Sequence, residues 1–335
     1  VILAGDVGAT KTLLGLYSRA RGGLRCVREE AFPSREFASF EALVDEFLSR
    51  SERRIDRCAV GVAGPVTAGR SRVVNLRWPV DERRLARRLG TRDVRVLNDL
   101  EATAWGVPLV QARKLVSLTP GLRSRPGNAA LIAAGTGLGM ALLLWDGKRW
   151  HPQASEGGHQ TFGPRNDLEI ELLRFLGRRH GRVSVERAIS GPALSLIYEF
   201  LTRSGRGRRS RLMSRRLADT DDPNAEVARA GLAGDDAVAG RALDLFVSLY
   251  GAAAGDLALV AKATAGVYVG GGIAPKILPR LREGAFIRAF REKGRLSFLV
   301  ERIPVRVILE PRTALLGAAR CAAALTRKKR QPTRK

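Results

Sequence analysis

Two segments of the chain repeat one design, and that repeat narrows the possible folds more than any other feature. ILAGDVGATKTLLGLYS, starting at Ile2, and ALIAAGTGLGMALLLWDG, starting at Ala130, each run as an apolar strand, a glycine-rich turn carrying Thr10 or Thr136, and a second apolar strand. Recurrence of one supersecondary unit roughly 130 residues further on implies two related halves, each opening with the same hairpin. A cleft between two such lobes would bring the turns face to face. The glycines of GTGLG superficially match a dinucleotide fingerprint, but that fingerprint needs a helix after the turn, and MALLLW reads as a strand. A Walker loop is excluded because no GxxxxGKS or GxxxxGKT occurs.

Beyond the hairpins, strands alternate with helices. Apolar runs predict strands at Arg57 to Gly64, Val94 to Asn98, in GVYVGGGI and in IPVRVIL. Helical periodicity predicts helices at Ser39–Ser49, Asp81–Leu89, Asn166–Arg179, Pro192–Arg203, about Ala237–Lys262, and Ala314–Leu325. HPQASEGGHQTFGP and ADTDDPN read as loops. This alternation argues an α/β protein with mixed sheets, not a bundle or a sandwich.

Glycine turns between two strands present consecutive backbone N–H groups that form an anion nest, to which the Thr10 and Thr136 hydroxyls add donors. Two tight hairpins with glycines at positive φ are the plainer reading of each turn taken singly. The pair favours phosphate: facing turns would clamp a polyphosphate chain through Gly8, Thr10, Gly135, Thr136 and Gly137. A carboxylate at Asp6 would repel such a ligand unless it partners Mg²⁺, directly or through water. Gly270 to Gly272 close a strand just ahead of Pro275, where missing side chains let a flat base approach the backbone.

In VRVLNDL, Asn98 and Asp99 stand at the end of a β-branched strand. Either can cap the helix expected from Leu100, since short polar side chains accept the free N–H groups of a first turn. The C-terminal ends of strands in open α/β sheets are also where ligands bind, so an ionised carboxylate there can do chemistry. SEGGH puts Glu156 and His159 in an irregular loop, and Glu186 follows near another helix start. Carboxylates, an imidazole and the Asn98 amide supply the directional hydrogen bonds that grip sugar hydroxyls. His159 also fits a plain surface loop. Zinc is disfavoured, because His151, His159 and His180 have no second ligand at helical or knuckle spacing.

Lys and Arg number 58 against 33 Asp and Glu, a net charge of +25. Much of the excess lies in RSGRGRRSRLMSRR, from Arg203 to Arg216, and in the tail TRKKRQPTRK from Thr326. Neither run carries an apolar period, so both read as solvated or disordered segments, either an arginine-rich surface or a polyanion-binding one. No aromatic residues interleave them to stack bases, which argues against nucleic acid. Cys26, Cys58 and Cys321 are too scattered for a disulfide framework and read as reduced core thiols. No apolar run approaches the ~18 residues of a membrane span and no signal segment is present, so a cytoplasmic location is expected.

AGDVGATK, AVGVAGPV, VNLRWPVD, VRVLNDLEATAWGV, AAGTGLGMALL, SEGGH, VSVERAISGPAL, VYVGGGIAPK and LLGAAR together resemble the bacterial glucokinases of the hexokinase superfamily, in that family's order and from Leu3 to about Leu325. The resemblance implies a two-domain actin-like (ribonuclease H-like) α/β fold with an interdomain cleft. Residues 1–109 with 311–326 would form the small domain, 110–310 the large one, and 327–335 a disordered tail. It implies phosphorylation of glucose by MgATP in a homodimer without membrane contact. Asp99 would be the base. Asn98, Glu156, His159 and Glu186 would hold glucose, with Gly64, Pro65, Asn75 and Trp78 shaping the sugar side. Asp6, Gly8, Thr10, Lys11, Gly135, Thr136 and Gly137 would serve the phosphates and Mg²⁺, and Gly271 and Gly272 would lie near adenosine. GATK departs from the family's more usual turn, which leaves Ala9 and Lys11 without a fixed role. GHQTFGPRNDLE lacks the cysteine-rich zinc motif of the related repressor and sugar-kinase family. Another hexose, polyphosphate as donor, and a non-catalytic sugar sensor stay open as alternatives.

Overall fold

A computed structural model describes residues 1–21, 23–51, 53–72, 76 and 78–325. The described residues divide into two compact units, one formed by residues 1–111 with those from 310 onward and the other by residues 112–309.

In the first unit, β1 (Ile2–Val7), β2 (Lys11–Ala20), β3 (Gly23–Pro33), β4 (Arg57–Val62) and a strand at Val94–Asn98 form a five-stranded sheet. The order is β3-β2-β1-β4 and then Val94–Asn98, with β1, β4 and Val94–Asn98 parallel. ILAGDV sits in the centre and is buried on both faces, as a near-continuous apolar strand must be. Val7 pairs with Val62 and Val62 with Asn98, so three strands end in line at one edge. Three short strands, β5 (Val66–Thr67), β6 (Arg70–Arg72) and β7 (Pro79–Asp81), make a separate small sheet; the strand at Val94–Asn98 is accordingly β8. Helices α1 (Phe40–Leu48), α2 (Glu82–Leu89) and α3 (Asp99–Gly106) start at Ser39, Asp81 and Asn98, each of which accepts first-turn N–H groups. The C-terminal helix, Thr313–Ala324, packs on α3 and β1 through alanines and Leu315.

The second unit holds a six-stranded sheet of β9 (Leu115–Ser117), β10 (Ala129–Ala134), β11 (Leu138–Trp145), β12 (Trp150–Ser155), β13 (Gly266–Gly270) and β14 (Val305–Ile308), in the order β12-β11-β10-β13-β14-β9. Every residue of β10 is buried, and the strand lies between antiparallel β11 and parallel β13. Around the sheet stand α4 (Asp167–His180), α5 (Val185–Ala188), α6 (Gly191–Arg203), α7 (Arg211–Ala218), α8 (Pro223–Ala233), α9 (Ala237–Ala261), α10 (Leu278–Arg282), α11 (Ala285–Arg291) and α12 (Ser297–Val300). By length and composition α9 could cross a membrane, contrary to the expectation that no run approaches that length; most of it is buried as the core helix of this unit.

Several expectations need correction. HPQAS is not loop but all of β12 after Trp150, an edge strand where Pro152 costs no ladder bond that the sheet needs. ADTDDPN ends in a helix start, with Asp222 accepting from the Ala225 N–H and Pro223 in the first turn. Arg211 to Arg216 fold as α7: Ser210 caps it, and Met213, 1% exposed, anchors it to the core. One buried methionine supplies the apolar contact that the run's composition hides. Cys58 and Cys321 are buried as expected, whereas Cys26 is exposed. The basic tail and Asn75 lie outside the described residues.

Candidate active site

In the first unit the site is built on the shared edge of β1, β4 and β8. The turn after β1 is closed by the Gly8 N–H donating to the Lys11 carbonyl at 3.1 Å. Ser34, fully buried, holds the turn from behind: its hydroxyl donates to the Gly8 carbonyl at 2.7 Å and its N–H to the Thr10 carbonyl at 3.0 Å. Thr12, also buried, exchanges a 2.8 Å hydroxyl contact with Ser34. The Thr10 side chain is exposed and has no protein partner among the described residues, so its hydroxyl is available to a ligand. Neither Thr12 nor Ser34 was legible as part of the turn, since Ser34 reaches it only through the β2–β3 pairing.

Asn98 caps α3. Its Oδ1 accepts from the Leu100 N–H at 2.9 Å and the Glu101 N–H at 3.3 Å, and its Nδ2 donates to the Gly64 carbonyl at 3.2 Å. Both acceptor lone pairs and one donor are then used, leaving one amide N–H. Gly64 holds φ +148°, a conformation L side chains rarely adopt, to present that carbonyl; Pro65 beside it is exposed. Asp99 is the first residue of α3, half-buried, accepting at one oxygen from the Leu100 N–H at 2.9 Å. Asp6 lies two strands over, and its carboxyl is raised to about 6, by burial first, then by the negative charge of Asp99, against an opposing pull from Lys11. Lys11 therefore acts on Asp6, partly offsetting its burial and the charge of Asp99. Trp78 does not face a sugar: it is 6% exposed, stacks on Phe40 at 6.0 Å, and donates to the Phe37 carbonyl.

In the second unit the turn between β10 and β11 is closed by the Gly135 N–H donating to the Gly137 carbonyl at 2.8 Å, and the Gly191 N–H that opens α6 donates to the Gly135 carbonyl at 2.7 Å. Tyr250 on α9 supports the turn from inside, its oxygen accepting from the Ala134 N–H at 3.1 Å. The Thr136 side chain is exposed without a protein partner among the described residues. Gly271, at φ +83°, passes so close to β10 that a Cβ would come within 2.3 Å of the Ala134 carbonyl; Gly272 faces open space. The two glycine clusters thus meet.

Glu186 joins this turn to the sugar-type residues. Its Oε2 accepts from the Leu138 N–H at 2.9 Å, and its Oε1 stands 4.0 Å from His159 Nδ1. His159 ends, and Glu156 immediately precedes, a short helical turn over residues 157–159, laid flat on β11: a Cβ on Gly158 would fall 1.9 Å from the Leu138 carbonyl. Only glycine allows that approach. Glu156 and His159 are both exposed. The structure therefore brings Gly135, Thr136, Gly137, Glu156, His159, Glu186, Gly271 and Gly272 into one cluster, but Glu186 has one oxygen committed to the turn, which its sugar-binding assignment did not foresee. Among the described residues no group of three or more His, Cys, Asp or Glu could cage a metal ion.

The family model for glucokinase matches residues 3–325. This chain belongs to the glucokinase family. A glucokinase of Trichormus variabilis is 37% identical over 344 residues, covering 97% of this chain and 99% of that protein. A glucokinase of Caulobacter vibrioides is 36% identical, covering 95% and 93%. Among solved structures, a glucokinase from an Antarctic psychrotroph superposes with a TM-score of 0.84 at 29% identity, covering 96% of this chain and 98% of that one. A ROK family glucokinase from Streptomyces griseus, solved with glucose and AMPPNP, shares the fold at a TM-score of 0.62 and 22% identity, covering 96% and 99%. The α/β fold of glucokinases and related sugar kinases, expected from the motifs, is the fold found.

Proposed function

We propose that the chain transfers the terminal phosphoryl group of MgATP to the 6-hydroxyl of D-glucose, giving glucose 6-phosphate and ADP, with Asp99 as general base. The observation that carries the choice of base is the division of labour at the end of β8. Asn98 Oδ1 accepts from both the Leu100 and the Glu101 N–H groups, and Asp99 only shares the first of these, so capping does not require a carboxylate at position 99. A rigid strand end and a capped helix orient Asp99, and proton transfer in the transition state asks for orientation first.

In this reading the 6-hydroxyl gives its proton to Asp99 as the oxygen attacks phosphorus in line. The spare N–H of Asn98, the Glu156 carboxylate, His159 and the free side of Glu186 hold the sugar's other hydroxyls, with Gly64 and Pro65 shaping that side. The N–H groups and hydroxyls of Gly8, Thr10, Gly135, Thr136 and Gly137 take up phosphate charge, and Gly271 and Gly272 admit the adenosine. Mg²⁺ comes with the nucleotide and supplies charge neutralisation on the transferred group. The donor set fits an ion held by one carboxylate plus phosphates, because Asp6 carries a carboxyl under electrostatic pressure that a cation relieves. A homodimer and a cytoplasmic location belong to the same family-based reading.

A coupled assay of ATP consumption over a panel of purified hexoses, repeated with polyphosphate replacing ATP, tests the assignment. Glucose with ATP is expected to give the highest kcat/KM and polyphosphate no turnover. Preference for another hexose, or no phosphorylation of any, would overturn it.

A further inference from the structure

The arginine excess is not spread evenly. A groove of about 580 Å³ lies between α4 and α6 in the second unit, within the size range of small-molecule sites. Glu171, Arg174, Phe175 and Arg178 line it from α4 at i, i+3, i+4 and i+7, one helical face; Phe200 and Arg203 line it from α6, with Ser204 just past that helix. Phe175 and Phe200 meet at 5.7 Å on the floor. Around them the charges do not balance. Arg179 and Arg203 share Glu199 at 2.9 and 3.2 Å, and Arg206 takes Glu171 at 2.8 Å. Arg174 and Arg178 are exposed, one helical turn apart, and have no partner among the described residues. Like charges at that spacing destabilise a helix, and two unpaired guanidinium forks present planar donors that match phosphate oxygens.

We infer that this groove is an anion site for linked phosphate groups, either a free oligophosphate or the phosphate tail of a nucleotide. It is separate from the glycine turns. Gly191, at the start of α6, bonds Gly135, whereas the groove lies at the other end of that helix, twelve residues and roughly 18 Å along its axis. Arg179 and Arg206 already cover the Phe175 and Phe200 rings, at 5.7 and 5.8 Å, so the groove offers charge and not a stacking platform. The inference does not rest on the proposed reaction.

The test is calorimetric titration of tripolyphosphate, and separately of ADP, into the full chain in magnesium-free buffer at about 0.1 M salt, where charges more than ~10 Å apart are screened. Three proteins are compared: the parent, Arg174→Gln/Arg178→Gln, and Arg83→Gln/Arg87→Gln, which removes two exposed α2 arginines and changes net charge equally. The groove variant is expected to weaken tripolyphosphate binding at least about tenfold, the loss of two charge-assisted contacts, while the α2 variant stays within about twofold. Turnover of the groove variant is expected to match the parent, which reports an intact fold. Loss for both titrants marks a phosphate tail as sufficient, and loss for tripolyphosphate alone marks a free chain. Equal binding by all three proteins, equal weakening in both variants, or no binding by the parent overturns the site.

Discussion

Asp6 and Asp99 sit at the ends of β1 and β8, with β4 between them, and the charge of Asp99 is second only to burial in lifting the Asp6 carboxyl to about 6. The backbones stand two strand spacings apart, roughly 10 Å. A carboxylate held under such pressure is a cost to the folded chain, retained where a cation or a ligand can relieve it.

That cost has a pH signature. Because the folded carboxyl titrates near 6 and the unfolded one near 3.8, the folded state binds more protons between those values. Stability therefore falls as pH rises through that window and stays reduced above it, by as much as about 3 kcal/mol. Without nucleotide, Asp6→Asn is expected to gain little over the parent at pH 4 and progressively more by pH 7, as read from urea unfolding midpoints. A gain that is the same at both pH values would contradict the burial argument.

Glu186 serves two neighbours, and two substitutions separate them. Glu186→Ala strips the acceptor from the Leu138 N–H, at a cost of about 1–3 kcal/mol if that group is left unpaired, and so disturbs the phosphate turn. Its KM for both ATP and glucose is expected to rise. Glu186→Gln keeps an oxygen for Leu138 and is expected to leave the ATP KM within about twofold while raising that for glucose, where carboxylate charge is lost. Steady-state kinetics of the pair decide whether the bond to Leu138 matters to the nucleotide.

The two glycines after β13 are not equivalent. Gly271→Ala forces a Cβ to within 2.3 Å of the Ala134 carbonyl from a positive φ, against backbone that cannot yield cheaply; Gly272→Ala meets nothing within 4 Å. Thermal unfolding should show Tm lowered by several degrees for the first, and nearly unchanged for the second. Similar losses in both would mean that the approach of β13's end to β10 is looser than described.

The same contrast shows what the residues announce in advance. The glycine turn at Gly135 and Gly137 stands out because glycines between apolar strands have few other uses, Gly270 to Gly272 because they close an apolar strand, and β1 and β10 because buried central strands leave long apolar runs. Asn98 and Asp99 are legible as a pair but not as to which one caps; the Leu100 and Glu101 N–H groups on Asn98 Oδ1 decide that, and the Asn98 amide is held from its other side by Gly64, 34 positions away. Ser34, Tyr250 and the second role of Glu186 were invisible for the same reason: each acts through a partner made adjacent only by sheet pairing or helix packing. Trp78, which the family resemblance puts on the sugar side, is buried and stacks on Phe40, a packing that no local pattern announces. In the basic run, one buried methionine outweighs a local composition that looks solvated.

The central claim is that Asp99 takes the proton, and the most direct measurement is the kcat of Asp99→Asn in a coupled ATP assay alongside glucose binding by the same protein. Asparagine keeps the shape and an oxygen for the Leu100 N–H, so the fold and glucose affinity are expected to hold within a few-fold. General base catalysis contributes typically 10²–10⁴-fold, and kcat is expected to fall by at least about a hundredfold. Retention of most of the parent's kcat would contradict the account.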